Sequence, residues 1–310
     1  MLIFKERYLE LKNLIETYLE VTCSPENLSP DFAVSDSVRY SLLAGGKRIR
    51  PILALAVAIS LNCEPDQDLI GLAASLEMIH SYSLIHDDLP ALDNDQVRRG
   101  KPTNHMVYGE DIAIIAGDAL LNLAYENILD ICQRRPELIG LALAISKAAG
   151  VSGMVGGQSL DLSQTKGDLG NVDVDALIRL QELKTGALIK AAVSLGYGYA
   201  EVNNPGEFSG FDKKLDRDFQ EFASKLGLEF QIRDDILDET ADPDILGKSV
   251  GKDQRDEKLT FVSLLGLDEA EAYDHKLRDE IIAIVDRLEA QGLEVEFLRA
   301  LCNFLLEREY

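Results

Sequence analysis

The chain has 310 residues, 46% hydrophobic and 27% charged, enough to bury a sizeable core in one large domain or two small ones. With 54 acidic against 31 basic residues the formal charge is −23, so the chain should repel nucleic acid and anionic membrane except where its basic residues are concentrated. The four cysteines (Cys23, Cys63, Cys132, Cys302) are far apart, without a CxxC pair or a histidine at zinc-ligand spacing, which argues against a disulfide framework or zinc site and fits a reducing cytosol.

From the N-terminus, "MLIFKERYLELKNLIETYLE" carries acids throughout and no small-residue cleavage site, so it reads as a helix and not as a signal peptide. Leu9, Leu11, Ile15, Tyr18 and Leu19 recur near every 3.6 residues within it. Apolar helical runs follow over residues 51–62, 67–88, 111–133, 137–150, 173–198 and 214–238, and "LRDEIIAIVDRLEAQGL" repeats the pattern near the C-terminus. The longest strongly apolar run, "PILALAVAISLNC", is about 13 residues, too short to span a bilayer. Strand-like alternation is scarce, and Asn-Gly and Asp-Gly hairpin turns are absent. Most of the nine prolines sit at boundaries or first turns of the helical runs; Pro90 instead lies inside a cluster of aspartates. "KGDLGNVD" at 166–173 reads as a loop, and no linker or low-complexity tract divides the chain. An all-α single domain over residues 1–310, soluble and cytoplasmic, is the simplest expectation.

Two acidic stretches stand out. In "SLIHDDLPALDNDQVRRGKPT" an apolar run ends in Asp87 and Asp88, with Asp93 and Asp95 close behind. Pro90 disfavours helical geometry at Leu89 and should break the chain there, letting Asp93 turn back toward Asp87. In "FQIRDDILDET", Asp234 and Asp238 are four apart and share one helix face, with Asp235 beside them and apolar Phe230, Ile232, Ile236 and Leu237 around them. Either stretch alone could be a solvated face. Both, however, cap apolar helices, where carboxylates are costly unless a positive group compensates them. Magnesium suits such sparse patches, since it takes one or two carboxylates and fills its octahedron with water and phosphate. EF-hand spacing fits neither stretch.

The basic residues are ordered too. "GGKRIRP" joins Gly45 and Gly46 to Lys47, Arg48 and Arg50, whose side chains can grip phosphate oxygens. Arg98 and Arg99 follow the first aspartates, His80 lies in the helix before them, and Lys184, Thr185, Lys248 and Lys258 come later; singly each has an ordinary structural reading.

Taken together and in this order, "GGKRIRP", "DDLPALD" followed by "RRG", "GQSLDL", "KTGAL", "FQIRDDILD" and "LGKSVGKD" resemble the trans-isoprenyl diphosphate synthases, the polyprenyl synthetase family, over residues 36–265. The Asp-Asp-x4-Asp spacing is similar to that of bacterial farnesyl diphosphate synthases and plant-type geranylgeranyl diphosphate synthases. The resemblance implies a single-domain isoprenoid synthase fold, helices around a deep central cavity, and a homodimer. It implies a prenyltransferase coupling isopentenyl diphosphate to dimethylallyl or geranyl diphosphate. It also implies Mg²⁺ as cofactor, about three substrate-linked ions, in keeping with a metal that accepts few protein carboxylates. By that resemblance Asp87, Asp93 and Asp234 are direct ligands, with Asp88, Asp235 and Asp238 in support. Arg98, Lys184, Lys248 and nearby Lys258 hold the allylic diphosphate, and Lys47, Arg50, His80 and Arg99 hold isopentenyl diphosphate. Thr185 and Gln231 lie near the developing cation, with Gln158 a supporting neighbour.

The family sets chain length by side chains below the first aspartates. Here Tyr82 precedes Asp87 by five positions, roughly 7.5 Å down a helix, and Ser83 by four. The Tyr-Ser pair resembles bacterial farnesyl diphosphate synthases, so a fifteen-carbon product is expected and a twenty-carbon product is the alternative. Asn94 stands where many relatives have a further Asp, the Pro that often follows Lys-x-Thr is missing from "EKLTFVSLLG", and Arg233 replaces a smaller residue before the second acidic motif. A class I terpene synthase would need no isopentenyl diphosphate site, and an inactive regulatory subunit should have a damaged aspartate motif. Neither pattern is present.

Overall fold

In the computed structural model, residues 2–165, 173–204, 213–240 and 259–307 are described. Lys248, Lys258 and most of the loop expected at 166–173 lie outside them. The chain divides into two units, residues 1–55 with 64–142 and residues 56–63 with 143–310.

The first unit holds α1 (Leu2–Thr22), α2 (Ala33–Leu42), the first part of α3 (Ile49–Ser60), α4 (Gln67–Asp87), α5 (Asn104–Tyr108) and α6 (Glu110–Arg134). Its centre is α4. The Asp66 carboxylate caps the helix by accepting from the amides of Asp68 and Leu69. From Leu69 to Ile79 every residue is buried, as expected of a helix that is apolar all round. The break expected at Pro90 is present: α4 ends at Asp87, and the Asp93 amide returns to the Asp87 carbonyl at 2.8 Å.

α6 packs on α4, α2 and α5, and its buried residues Ala113, Ala116, Gly117, Leu120, Ala124, Ile128 and Ile131 lie along one helical stripe. Its other side leaves Ile114, Ile115 and Leu129 46%, 47% and 60% exposed. By length and composition alone, two helical stretches, 110–134 and 136–164, are apolar enough to cross a membrane. A search for unbroken apolar runs passes over them because isolated charges such as Asp118 and Glu126 interrupt the pattern.

One short hairpin departs from the helical expectation. β1 (Val97–Arg98) pairs antiparallel with β2 (Lys101–Pro102), and both turn residues, Arg99 (φ 53°) and Gly100 (φ 73°), are left-handed. This is the geometry of a two-residue hairpin, with Arg in a place usually held by Asn, Asp or Gly. Two-residue strands leave no alternation to read.

The second unit holds the end of α3, most of α7 (Ile139–Ala149), α8 (Met154–Thr165), α9 (Val174–Gln181), α10 (Ala187–Asn203), α11 (Lys213–Thr240), α12 (Phe261–Leu265), α13 (Leu267–Ala290) and α14 (Glu296–Leu306). α11 packs against α10 and α13. Its Ile232 and Ile236 join Leu177, Phe261, Ala270 and Leu277 in one buried cluster. The run expected as one helix over 173–198 is α9 and α10 joined through a π-helical turn, Glu182–Gly186. All four cysteines are buried free thiols.

The deepest charge in the first unit is Arg48, whose side chain is fully buried. It donates to Glu16 on α1 at 2.9 and 3.1 Å, to Glu77 on α4 at 2.8 Å and to the Leu42 carbonyl at 2.7 Å. Removing one partner from a buried ion pair strands the other. Arg48→Ala should therefore cost about 3–5 kcal/mol in urea unfolding. A loss below about 1 kcal/mol would mean that water reaches Glu77 once the guanidinium is gone.

Candidate active site

The first aspartate motif sits where α4 stops. Asp87 and Asp93 are half-buried, and the backbone bond between them fixes the loop that carries both. Asp88 behaves differently: it is 3% exposed and takes a forked contact from Arg98, with Nε 2.8 and 3.0 Å from its two oxygens and Nη2 2.6 Å away. Burial raises the Asp88 carboxyl above the ordinary carboxylate range, while Arg98 works against that rise. Arg98 also reaches Asp95 at 3.5 Å. Its charge is held up by Asp88, Asp95 and Asp87 although burial opposes it.

The hairpin turn sends Arg99 elsewhere. Its Nη1 donates to the Gly45 carbonyl and its Nη2 lies 3.7 Å from Glu77. A Cβ on Gly46 would sit 2.9 Å from the Arg99 Cζ, so the glycine leaves room for the guanidinium. The Gly-Gly-Lys-Arg-Ile-Arg segment, Arg99 and His80 are thus gathered on one unit. Within that segment the exposed Lys47 gives its carbonyl to the Tyr8 hydroxyl at 2.6 Å, and Arg48 is the buried anchor. The His80 ring titrates well below an ordinary imidazole, first because it is buried and then because Arg50 and Arg99 repel its proton. It is neutral near pH 7.

Below the aspartates, Tyr82 is 6% exposed and its phenol is pushed up to about 12, chiefly by burial, with Tyr125 and Asp87 adding to it. Ser83 is half-buried and donates to the His80 carbonyl at 2.9 Å.

The second unit carries the other candidates. The π turn holds Lys184 and Thr185, and such turns recur at functional sites because they re-aim side chains. Lys184 pairs with Asp161 of α8. Thr185 donates to Gln231 Oε1 of α11 at 2.5 Å, so two residues 46 apart in sequence are joined directly. Gln158, on the same α8, has a buried Nε2 with no hydrogen-bond partner among the described residues. A Cβ on Gly157 would overlap the backbone of Lys184, so α8 touches the π turn backbone to backbone there.

On α11, Asp234 is exposed and Asp238 half-buried, on the shared face expected of them. Asp235 is 8% exposed and accepts from the Phe261 amide at the start of α12 at 2.7 Å. Among the described residues no group of three or more His, Cys, Asp or Glu is placed to hold a metal. The donor set nonetheless fits a hard divalent cation: pairs of carboxylate oxygens, no soft ligands, and no closed cage, which is what Mg²⁺ requires when phosphate completes its shell.

The polyprenyl synthetase family matches over residues 32–295. The chain belongs to that family. This polyprenyl synthetase is 40% identical over 304 residues to the farnesyl diphosphate synthase of Geobacillus stearothermophilus, covering 97% of this chain and 96% of that one. It is 44% identical over 280 residues to the geranylgeranyl diphosphate synthase of Cyanophora paradoxa, covering 88% of each. Among solved structures it is similar to the geranyltransferase of Helicobacter pylori complexed with magnesium and isoprenyl diphosphate, with TM-score 0.78 and 31% identity over 97% of this chain and 95% of that chain.

Two groups in this polyprenyl synthetase were not foreseen from its sequence. Glu77, 2% exposed, anchors Arg48 and neighbours Arg99; a lone acid inside "LIGLAASLEMIHSY" is the signal, because such a helix buries every side and an acid there needs a cation. Asp161 partners Lys184, and it lay inside the quoted "GQSLDL" motif without a role.

His80 makes a pH prediction. Its folded value is depressed, so below about pH 6.5 the unfolded chain binds a proton that the folded chain does not, and stability falls as pH falls through that range. Replacing His80 with Gln should flatten the fall in Tm between pH 7 and pH 5. An unchanged slope would put the pH sensitivity elsewhere.

Proposed function

We propose that this polyprenyl synthetase is a farnesyl diphosphate synthase, joining isopentenyl diphosphate to dimethylallyl and then geranyl diphosphate. The observation that carries the product length is Tyr82. Its ring is buried on α4 just below the aspartates, where it supports a floor that stops the growing chain at fifteen carbons. The relatives include enzymes named for fifteen- and for twenty-carbon products, and the buried aromatic ring favours the shorter one.

In this reading Asp87, Asp93, Asp234 and Asp238 are the carboxylates available to Mg²⁺, while Asp88 and Asp235 brace them through Arg98 and the Phe261 amide. A named magnesium complex of a similar enzyme supports that choice of ion. When bound, the metal supplies Lewis-acid stabilisation for the departing diphosphate. The protein's own part is to hold two anions and keep water out.

Arg98, Lys184, Lys248 and Lys258 grip the allylic diphosphate. Arg98 and Lys184 also meet the more accessible Asp95 and Asp161, so the anion would exchange with those two carboxylates while Arg98 keeps its bond to Asp88. Lys47, Arg50, Arg99 and neutral His80 hold isopentenyl diphosphate; a neutral ring can donate one hydrogen bond to phosphate without adding a further buried charge. The allylic C–O bond breaks with its electron pair leaving on the diphosphate. The hydroxyl of Thr185 and the amide of Gln231 then lie near the cation, where their oxygen dipoles stabilise it and their mutual bond fixes their orientation. The isopentenyl double bond, held close, forms the new C–C bond, and the lost proton goes to the departed diphosphate. Exclusion of water protects the cation in this reading.

A homodimer belongs to the same reading. The uncovered apolar side chains Ile114, Ile115 and Leu129 of α6 make a face that a second copy would bury. Light scattering after gel filtration should give a mass near twice 34.2 kDa.

The deciding experiment is product analysis with Mg²⁺, labelled isopentenyl diphosphate and each allylic starter, beside Tyr82→Ala. The expected result is a fifteen-carbon product that lengthens in Tyr82→Ala, and loss of elongation by about 100-fold or more in Asp87→Asn or Asp234→Asn. A twenty-carbon product from the unmodified protein would remove Tyr82 from the floor. Elongation that survives EDTA would rule out the metal.

A further inference from the structure

Tyr82 does not stand alone on α4. One turn further on, the His86 ring meets it edge-on, with centroids 5.9 Å apart and planes at 85°. The imidazole in turn rests on α6 at Gly117. A Cβ built there would overlap its Nε2, Cδ2 and Cε1, so only a bare backbone lets the ring lie in place. His86 Nε2–H donates to the Ile114 carbonyl of the same helix at 2.9 Å, and Asp118 is 3.9 Å away. A glycine in the interior of a 25-residue helix weakens that helix. Here it supplies a seat for a ring.

We propose that Gly117 and His86 are positioning residues for product length. The glycine seat fixes the imidazole, and the imidazole edge holds the Tyr82 ring in the rotamer that closes the hydrocarbon pocket. Neither residue need touch substrate. A tyrosine without that edge has other staggered wells open to it, and a floor that swings aside lets a further isoprene unit in. The inference rests on the reading of Tyr82 as the floor of an elongating prenyltransferase.

The test is the ratio of twenty- to fifteen-carbon product, measured with Mg²⁺, geranyl diphosphate and labelled isopentenyl diphosphate. His86→Ala, which leaves α6 intact, should raise that ratio about threefold to tenfold, the range spanned by loss of one edge-to-face ring contact. Gly117→Ala should move it in the same direction by unseating the ring; should that variant not fold, His86→Ala still decides. In the Tyr82→Ala background His86→Ala should change the ratio by less than about 1.5-fold, because the group it acts through is gone. A ratio unchanged in His86→Ala, or raised equally with and without Tyr82, overturns the proposal. Elongation by the unmodified protein with no lengthening in Tyr82→Ala removes the floor and the proposal with it. No elongation at all instead overturns the enzyme reading, and the three results are distinct.

Discussion

The constraint on which the first unit depends is the burial of charge along α4. A helix with no polar face carries Glu77 in its middle and aspartates at its end. Each buried acid must meet a cation or forfeit several kcal/mol of solvation. Glu77 meets Arg48, which also takes Glu16, and that single guanidinium ties α1, the last residue of α2 and α4 together. Arg48 accepts a left-handed backbone, φ 50°, to reach them. The basic loop is consequently placed by a residue that does not itself face solvent, and Lys47 is left exposed beside it.

A related division of labour runs through the adjacent like residues. Neighbours on a helix point about 100° apart, so a doubled aspartate at the margin of a core cannot have both members in one environment. Asp88 turns inward to Arg98 while Asp87 stays half-buried. Asp235 turns inward to the Phe261 amide while Asp234 is exposed. The doubled arginine is separated by other means: Arg98 ends a strand, Arg99 occupies a left-handed turn, and the two guanidinia serve Asp88 and the Gly45 carbonyl. In each aspartate pair one carboxylate is committed to the scaffold while the other keeps accessible surface.

Much of this was legible in the sequence because it rests on local rules. The helix that ends at Asp87, the break imposed by Pro90 and the return of Asp93 all follow from proline sterics, and the shared face of Asp234 and Asp238 follows from helical pitch. The hairpin escaped, since two-residue strands have no period and Arg-Gly is not a usual turn pair. The π turn escaped because nothing in "ELKTG" marks a change in hydrogen-bond register. The structural duties of Asp88 and Asp235 escaped for a different reason: composition places an acid at a position, but only tertiary contact reveals which cation or amide it meets. The contact between Thr185 and Gln231 lies between these cases, since the resemblance grouped the two residues and the fold supplied the bond.

The glycines complete the logic. Gly46 lies under the Arg99 guanidinium, Gly117 under the His86 imidazole and Gly157 against the Lys184 backbone. In each case a side chain, or the turn that carries it, comes close to where a Cβ would stand; the flexible Arg99 tip could move aside at Gly46, whereas the His86 ring and the Lys184 backbone leave no such room. A charged or aromatic group near a reacting centre must be held within a fraction of an ångström, and long side chains held only at their tips lose that precision. Seating them on bare backbone adds to the hydrogen bonds that Arg99 makes to the Gly45 carbonyl and His86 to the Ile114 carbonyl. The cost is helix propensity at Gly117 and Gly157, about 1 kcal/mol each relative to alanine, small beside the apolar burial of α4 and α6 in the first unit and of α11 in the second. The same physics that lets α4 carry charge through an apolar core therefore also fixes where its rings and carboxylates can stand.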